Sequence, residues 1–502
     1  MKKYDVIVVG AGNGGLVAAA TTAKAGYRTL LLEKHNLPGG CATSFVRGRF
    51  EFEPSLHELC SESTHEASRS TSRIFADLGA DVPLYFENEL FRVIARGEDG
   101  YDVTLPAGEA AFVDAMENIV PGCRASVQAL FDLNREFDEA QLYMDGGAMN
   151  PSVLMDKYGD FVRACGHSVD ELFDALGMPE KAQDIIKTYW SYLGVPTDDL
   201  NAMHYISLLC AYVEGRPSMP YHRSHELSLA LAKAVQGFGG EIRYNTEVTR
   251  FLYDVDGAAI GVIAGGETIL AKKVISNIIP NNVVNRSYGK RLPASMKKLV
   301  NARKLGLTFI TIYLGLDCTM QELGVKDYSV FVLGDKNSRA QFDARGEFGM
   351  YIVNCLNRPL PESSPEGTCT LFFTLPFMPE DFPEELKPEE YKKFKNGIAR
   401  KYIEDYEKLM GLSILPHIEE IAVATPVTFA RYLGTPGGEI YGYASTEWDN
   451  VVNRTVFKDL ENRIKNLYFC GGHSIRGDGF PSGYITGEMA ALDAIRDLKE
   501  GK

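Results

Sequence analysis

Residues 10–15 read Gly-Ala-Gly-Asn-Gly-Gly, and glycines at this spacing serve one chemistry well: they bring backbone N–H groups up to a pyrophosphate. Gly10 permits a tight turn, Gly12 lets the backbone approach the phosphates, and Gly15 lets a helix pack closely on a strand. The elements needed to hold such a turn stand on either side. Residues 4–10, YDVIVVG, read as a buried parallel strand, and residues 16–20, LVAAA, have strong helix propensity. Asn13 and Gly14 fall at the start of that helix, whose unpaired N–H groups and positive dipole end favour an anion. Gly26 closes the helix and residues 28–33 form the second strand. Glu33, twenty-one residues after Gly12, is then placed to accept hydrogen bonds from a ribose diol, with Lys34 beside it. A bare Gly-x-Gly-x-x-Gly is weak; set between a strand and a helix, with an acid ending the next strand, it predicts a dinucleotide-binding βαβ unit.

Further along stands Leu37-Pro38-Gly39-Gly40-Cys41-Ala42-Thr43-Ser44, and near the other end Asn466-Leu467-Tyr468-Phe469-Cys470-Gly471-Gly472 precedes Gly477-Asp478-Gly479-Phe480-Pro481-Ser482-Gly483 and a helix over residues 484–498. These segments resemble flavoproteins of the amine oxidase and phytoene desaturase superfamily. The resemblance implies FAD, with Gly39, Gly40, Cys41 and Thr43 in a second phosphate-contacting turn and Gly471, Gly472, Gly479, Phe480, Pro481 and Ser482 around the flavin. It extends through a helix at 226–235 and the run 239–249, where Val248 is expected near the adenine, to Val274-Ile275-Ser276-Asn277, with Asn277 at the cofactor. Residues 425–442 resemble the segment that carotenoid isomerases and phytoene-dehydrogenase-like proteins set beside the flavin ring. Amine oxidases carry an aspartate where this chain has Gly472, which favours the desaturase, carotenoid isomerase and retinol saturase branch. The matches span about a third of the chain, in order from end to end.

In that family the protein positions the substrate and tunes the flavin, which carries out the redox step. The pattern Arg-Phe-Asp-x-Gly-Pro-Ser near the flavin becomes Arg49-Phe50-Glu51-Phe52-Glu53-Pro54-Ser55 here, with His57 following. A carboxyl group at Glu53, half buried at the active site, would titrate high enough to be a general acid or base. The alternative is that Glu53 pairs with Arg47 or Arg49 and holds the loop. Arg431 and Tyr432 are candidates for orienting a substrate head group or for plain packing, and His473, in a loop beside the cofactor, for a flavin contact or a surface role. His222 and His225, in a linker, lack a third ligand at metal spacing, so no metal is expected. Cys41 and Cys470 flank cofactor turns as backbone contacts rather than redox partners.

A net charge of −15 excludes a nucleic-acid partner and leaves only an apolar patch to dock on a membrane. Nine scattered cysteines without a Cys-x-x-Cys pair fit a reduced compartment, and neither a signal peptide nor a run of eighteen apolar residues is seen. A cytoplasmic protein is expected, with any membrane contact peripheral to the inner face. With 502 residues there is more than one core. The expected architecture is α/β: a discontinuous Rossmann-like FAD-binding domain of the GR2 flavoprotein type (1–110, 226–290 and 421–502) with an α+β substrate domain (helical 111–225, sheet and helices 291–420). A charged amphipathic helix is expected from Pro388 to Met410. No second Gly-x-Gly-x-x-Gly appears, so the electron donor or acceptor is external. These readings converge on an FAD-dependent oxidoreductase that desaturates, saturates or isomerises double bonds of a hydrophobic unsaturated substrate. Two alternatives stand beside it: an amine-oxidase-like flavoenzyme, and a flavin-free lipid or prenyl carrier like the GDP dissociation inhibitors.

Overall fold

The valines and isoleucine of strand Lys3–Val9 are buried on both faces, as a central parallel strand requires. This computed structural model describes residues 3–60, 70–145, 150–287, 292–383, 385–446, 448–449, 454 and 464–501. Lys3–Val9 pairs in parallel with Thr29–Leu32 on one side and with Glu267–Ser276 on the other. Thr29–Leu32 in turn pairs with Glu241–Arg243. Glu267–Ser276 divides its far edge: its first half pairs with Ala259–Ala264 and its last three residues pair with Leu467–Phe469. Segments far apart in sequence therefore meet in one seven-stranded sheet. The helix Asn13–Lys24 packs between Arg223–Gly237 and the last helix, Gly479–Lys499.

A second seven-stranded sheet runs in the order Ile418–Ala424, Thr308–Leu316, Cys369–Phe377, Met350–Asn354, Ser329–Leu333, Glu89–Ala95, Tyr101–Pro106. Its strands are antiparallel except for the pairing of Ser329–Leu333 with Glu89–Ala95. The last two strands were expected in the cofactor half, but Val93 and Ile94 pair with Phe331 and Val332 and extend this sheet instead. Helices between Glu109 and Gly215 cover it with a core rich in Phe and Tyr. Pro388–Met410 forms the expected long helix: proline at its start, Glu389 and Glu390 in the first turn, and Gly411 at φ 68° after its end. Ala399, Tyr402, Ile403 and Tyr406 make its buried stripe at helical spacing.

Two local expectations are corrected. The last helix begins at Gly479, five residues before Tyr484, because Pro481 sits in its first turn, where a missing N–H costs nothing. His222 and His225 are not in a linker; His222 caps and His225 lies within the helix Arg223–Gly237.

Candidate functional site

The glycines at residues 10–15 are needed for space. A Cβ on Gly15 would stand 1.9 Å from the Gly10 carbonyl oxygen, and one on Gly14 would meet Asn277 Oδ1 at 2.7 Å and the backbone of Gly471 and Gly483 at 3.0 Å. Asn277, reached from the end of its strand, is thus wedged among Gly12, Gly14, Gly15 and Gly471. The second glycine turn is tied to the first: Gly39 N donates to the Ala11 carbonyl at 2.7 Å, and Gly39 adopts φ +126°.

These turns wall one elongated cleft. Of the residues expected at a cofactor, Gly10, Gly12, Asn13, Gly14, Glu33, Lys34, Gly39, Gly40, Cys41, Val248, Asn277, Gly471, Gly472, Gly479 and Phe480 line it, while Gly15 lies behind the wall. Glu33 is buried at the end of its strand, with the N–H groups of Ala11 and His35 on its two oxygens at 2.7 and 2.8 Å. Two buried polar atoms in the cleft wall, Asn13 Oδ1 and His473 Nε2, have no hydrogen-bond partner among the described residues, which fits a polar ligand completing them. His473 is therefore a cleft residue and not a surface one, and burial, with Arg303 and Arg454 nearby, pushes its pKa down to about 3.

Other assignments move. Thr43 lines neither this cleft nor the cavity beside it, and its carbonyl accepts from Ser224 Oγ at 3.4 Å. Pro481 and Ser482 line the neighbouring cavity. Arg431 is exposed and lines neither space. Tyr432, 54% exposed, sits at the cleft's rim against His35, with ring centres 5.3 Å apart. Their helix, Pro426–Leu433, turns both away from the cavity and presents Phe429 to it, so neither orients a substrate head group there. Burial pushes the Cys41 thiol up to about 12, which leaves it unreactive.

The second cavity, of about 240 Å³, is walled mostly by apolar residues such as Leu193, Met203, Leu208, Phe309 and Ile352. Ile440, Tyr441, Gly479 and Phe480 belong to the walls of both spaces, so the cleft and the cavity adjoin across them.

Glu53 is not at this junction. Its carboxylate is buried, lines neither space, and accepts from Ser224 N (2.9 Å), Ser224 Oγ (2.8 Å), Leu56 N (2.9 Å) and Ser55 N (3.2 Å). Burial raises its pKa against these hydrogen bonds. Neither arginine pairs with it: Arg49 holds Glu419, and Arg47 donates to the Val46 carbonyl. Glu53 fastens the loop to the helix Arg223–Gly237 through backbone N–H groups. His57 does line the cavity, with Nε2 2.9 Å from Thr374 Oγ1 and its ring between Tyr192 and Phe372. Burial lowers its pKa to about 3, so it is a neutral imidazole at physiological pH and no proton donor.

Two cavity carboxyls escaped the sequence reading. Glu58 is buried next to His57 and faces three tyrosines supplied by residues 189–212. No local spacing could have singled it out. Asp478, at the start of the last helix, accepts from Ser445 Oγ at 2.7 Å and lies 3.6 Å from His204 Nε2. That second contact is no ion pair, because burial holds His204 near pKa 3 and hence neutral. Burial lifts Asp478 to about 7 from 3.8, against the opposing pull of Arg454. A raised carboxyl contributes stability fully below its unfolded pKa of 3.8 and loses it as pH rises through 7. Asp478→Asn is therefore expected to gain stability over the parent with rising pH, reaching about 2–4 kcal/mol by pH 8. Thermal melts of both proteins from pH 5 to 8 check this, and parallel pH profiles would contradict it.

Asp317, Cys318 and His417 also bring ligand-type atoms within 4.8 Å of one another. His417 and Asp317 already satisfy each other at 2.9 Å, and the trio lines neither space. The nine cysteines are unpaired with one another, and no helix among the described residues is long and apolar enough to cross a membrane.

Residues 8–77 match the NAD(P)-binding Rossmann-like domain. Across 98% of its length the chain is 25% identical to an all-trans-retinol 13,14-reductase of Danio rerio, covering 86% of that protein. It is 24% identical to a 4,4'-diapolycopene oxygenase of Methylomonas sp (98% of each chain). It is also 24% identical to a chloroplastic prolycopene isomerase of Daucus carota (99% of this chain, 81% of that one). An oxidoreductase from Methanosarcina mazei shares the fold with a TM-score of 0.65 at 16% identity, covering 98% of this chain and 100% of that one. A cyclohexylamine oxidase from Brevibacterium oxydans does so with 0.60 at 14%, covering 99% of each. With the motifs gathered at one cleft, the chain is similar from end to end to proteins named retinol 13,14-reductase, diapolycopene oxygenase and prolycopene isomerase, and it shares the fold of flavin-dependent amine oxidases.

Proposed function

We propose that the protein is an FAD-dependent oxidoreductase acting on carbon–carbon double bonds of a hydrophobic polyene or lipid-like substrate, as a desaturase, saturase or isomerase. The observation that carries this reading is the shared wall of Ile440, Tyr441, Gly479 and Phe480 between the dinucleotide cleft and the apolar cavity. The relatives' names support the substrate class, since retinol, diapolycopene and prolycopene are all long unsaturated molecules.

The residues present fit FAD. Gly12, Asn13 and Gly14 at the first helix, with Gly39 and Gly40, would take the pyrophosphate; Glu33 would take a ribose, Val248 the adenine, and Gly471, Gly472, Gly479 and Phe480 the flavin end. When bound, the flavin supplies two-electron exchange with carbon. The chain's own part is to hold an extended apolar molecule against the shared wall and to exclude water. Neutral His57 and the high-pKa Cys41 leave no charge on their part of the walls. The electron donor or acceptor is external. Such a substrate partitions into lipid, so the reading includes peripheral contact with a membrane.

Freshly purified protein is expected to be yellow and to release FAD on denaturation. A colourless protein that cannot be reconstituted with FAD would contradict the proposal and favour the carrier. A holoprotein reduced by primary amines but inert to every polyene would favour the amine oxidase.

A further inference from the structure

Glu58 occupies a different kind of place from Glu53. Its side chain lines the apolar cavity and is 4% exposed, yet Oε1 has no hydrogen-bond partner among the described residues. Tyr189 donates to Oε2 at 3.3 Å. Among the described residues Glu87 repels the carboxyl, the tyrosine hydroxyls and the Cys60 thiol are the other ionisable groups acting with it, the Ser329 hydroxyl stands beside it, and the one cation in the same cavity wall, Arg476, is not among the groups that shift it. The backbone around it is fixed from three directions. Tyr212 Oη donates to the Glu58 carbonyl at 3.0 Å, Leu59 and Ser218 exchange both backbone hydrogen bonds, and Tyr328 Oη donates to the His57 carbonyl. The rings of Tyr189, Tyr192 and Tyr212 pack together with centres 4.9–5.8 Å apart beside the carboxyl. Tyr192 Oη, in the same wall beside Ser329, is also buried without a hydrogen-bond partner of good geometry among the described residues. A rigidly held carboxyl with one oxygen unsatisfied in an apolar cavity is costly unless it meets a ligand or acts on one.

We infer that Glu58, and not Glu53, is the carboxyl that exchanges a proton with the substrate's double bonds. This rests on the polyene reading above and assigns that site its acid. Burial, with the nearby Glu87, raises the carboxyl well above the ordinary range against the hydrogen bonds of Tyr189 and Ser329, which favours the protonated form that has a proton to give. In the reducing direction the Glu58 O–H bond breaks and a C–H bond forms at one carbon of the conjugated system. A second carbon takes up a hydride equivalent from the reduced cofactor of the same site, and one π bond is consumed. Glu58 is left as the carboxylate and regains its proton from water. An external two-electron reductant restores the cofactor. In the desaturating direction the ionised carboxylate takes a proton from one carbon, the neighbouring carbon gives up a hydride equivalent to the oxidised cofactor of the same site, and a π bond forms between them.

The test uses the FAD-loaded protein and Glu58→Gln, with all-trans-retinol as the probe. Difference infrared spectra at neutral pH are expected to show a protonated-carboxyl band that Glu58→Gln lacks and that shifts when retinol is added to the oxidised protein. Glu58→Gln is expected to bind retinol with unchanged affinity and turn over about 100-fold more slowly. If Glu58→Gln does not fold, Tyr189→Phe must move the same infrared band, since it removes the hydroxyl on Oε2. Four results would overturn the assignment: an ionised Glu58 in the parent, a band indifferent to retinol, a band unmoved by Tyr189→Phe, or full turnover in Glu58→Gln. A parent protein with bound FAD that transforms no polyene is a different failure: it removes the functional reading itself, and the assignment falls with it.

Discussion

Gly15→Ala is expected to lose its dinucleotide. The new methyl would stand 1.9 Å from the Gly10 carbonyl oxygen, and neither partner can yield cheaply, since both are backbone within a buried strand–turn–helix. Gly10 itself adopts φ +93°, so the turn has little freedom to relax by another route. The helix Asn13–Lys24 must therefore move off the sheet and carry its N–H groups away from the cleft. Overpacking of this kind costs about 3 kcal/mol, and if expressed in binding it weakens the cofactor about 100-fold. Gly397→Ala is the contrasting control. Gly397 lies in the helix Pro388–Met410, where a Cβ would have nothing within 4 Å, so alanine there is expected to stabilise by about 1 kcal/mol. Titrating flavin into both apoproteins, with thermal melts alongside, checks the pair. Full flavin retention by Gly15→Ala would contradict the packing argument.

Glu53→Gln is expected to be a stability variant with normal chemistry. Four donors from Ser224, Ser55 and Leu56 converge on the carboxylate, and an amide turns one acceptor end into a donor facing them. At about 1–3 kcal/mol for each buried group left without a partner, the loss is about 2–4 kcal/mol, seen as a lower midpoint in denaturant. The rate per flavin-loaded molecule is expected to stay within about twofold of the parent, because Glu53 lines neither the cleft nor the cavity. A variant as stable as the parent but slow in turnover would return Glu53 to the chemistry.

The two glutamates show what a linear reading can reach. The cofactor cleft is legible because its parts are local: Gly10 to Gly15, Gly39-Gly40 and Gly471-Gly472 each impose a backbone turn on their own neighbours, and each is found in the cleft wall. The strand Thr308–Leu316 was legible for the same reason, since a mostly apolar run announces burial on both faces. Glu53 stood at a family position and drew attention by being charged, but what decides its role is the helix N-terminus at Ser224, 171 residues away. Glu58 was invisible because its surroundings come from Tyr189 and Tyr212, 131 and 154 residues on. Arg431 and Tyr432 failed for a related reason: their segment was right, but which face of a two-turn helix meets the cavity is set by Phe429, whose packing no local pattern reveals. Likewise, strands Glu89–Ala95 and Tyr101–Pro106 follow the cofactor motifs in sequence, yet Glu89–Ala95 pairs with a strand more than two hundred residues later and carries Tyr101–Pro106 with it into the second sheet.

The central claim is that a dinucleotide cleft and an apolar substrate cavity meet across Ile440, Tyr441, Gly479 and Phe480 so that electrons pass between flavin and a polyene. The direct test is to reduce the FAD-loaded protein without oxygen, mix it rapidly with all-trans-retinol or prolycopene, and follow the flavin absorbance while the polyene is analysed for saturation or isomerisation. Flavin reoxidation matched by a saturated product, or isomerised polyene formed only while the flavin is reduced, is the expected result. Reduced flavin that leaves every polyene unchanged, in a protein that binds both, would contradict the account.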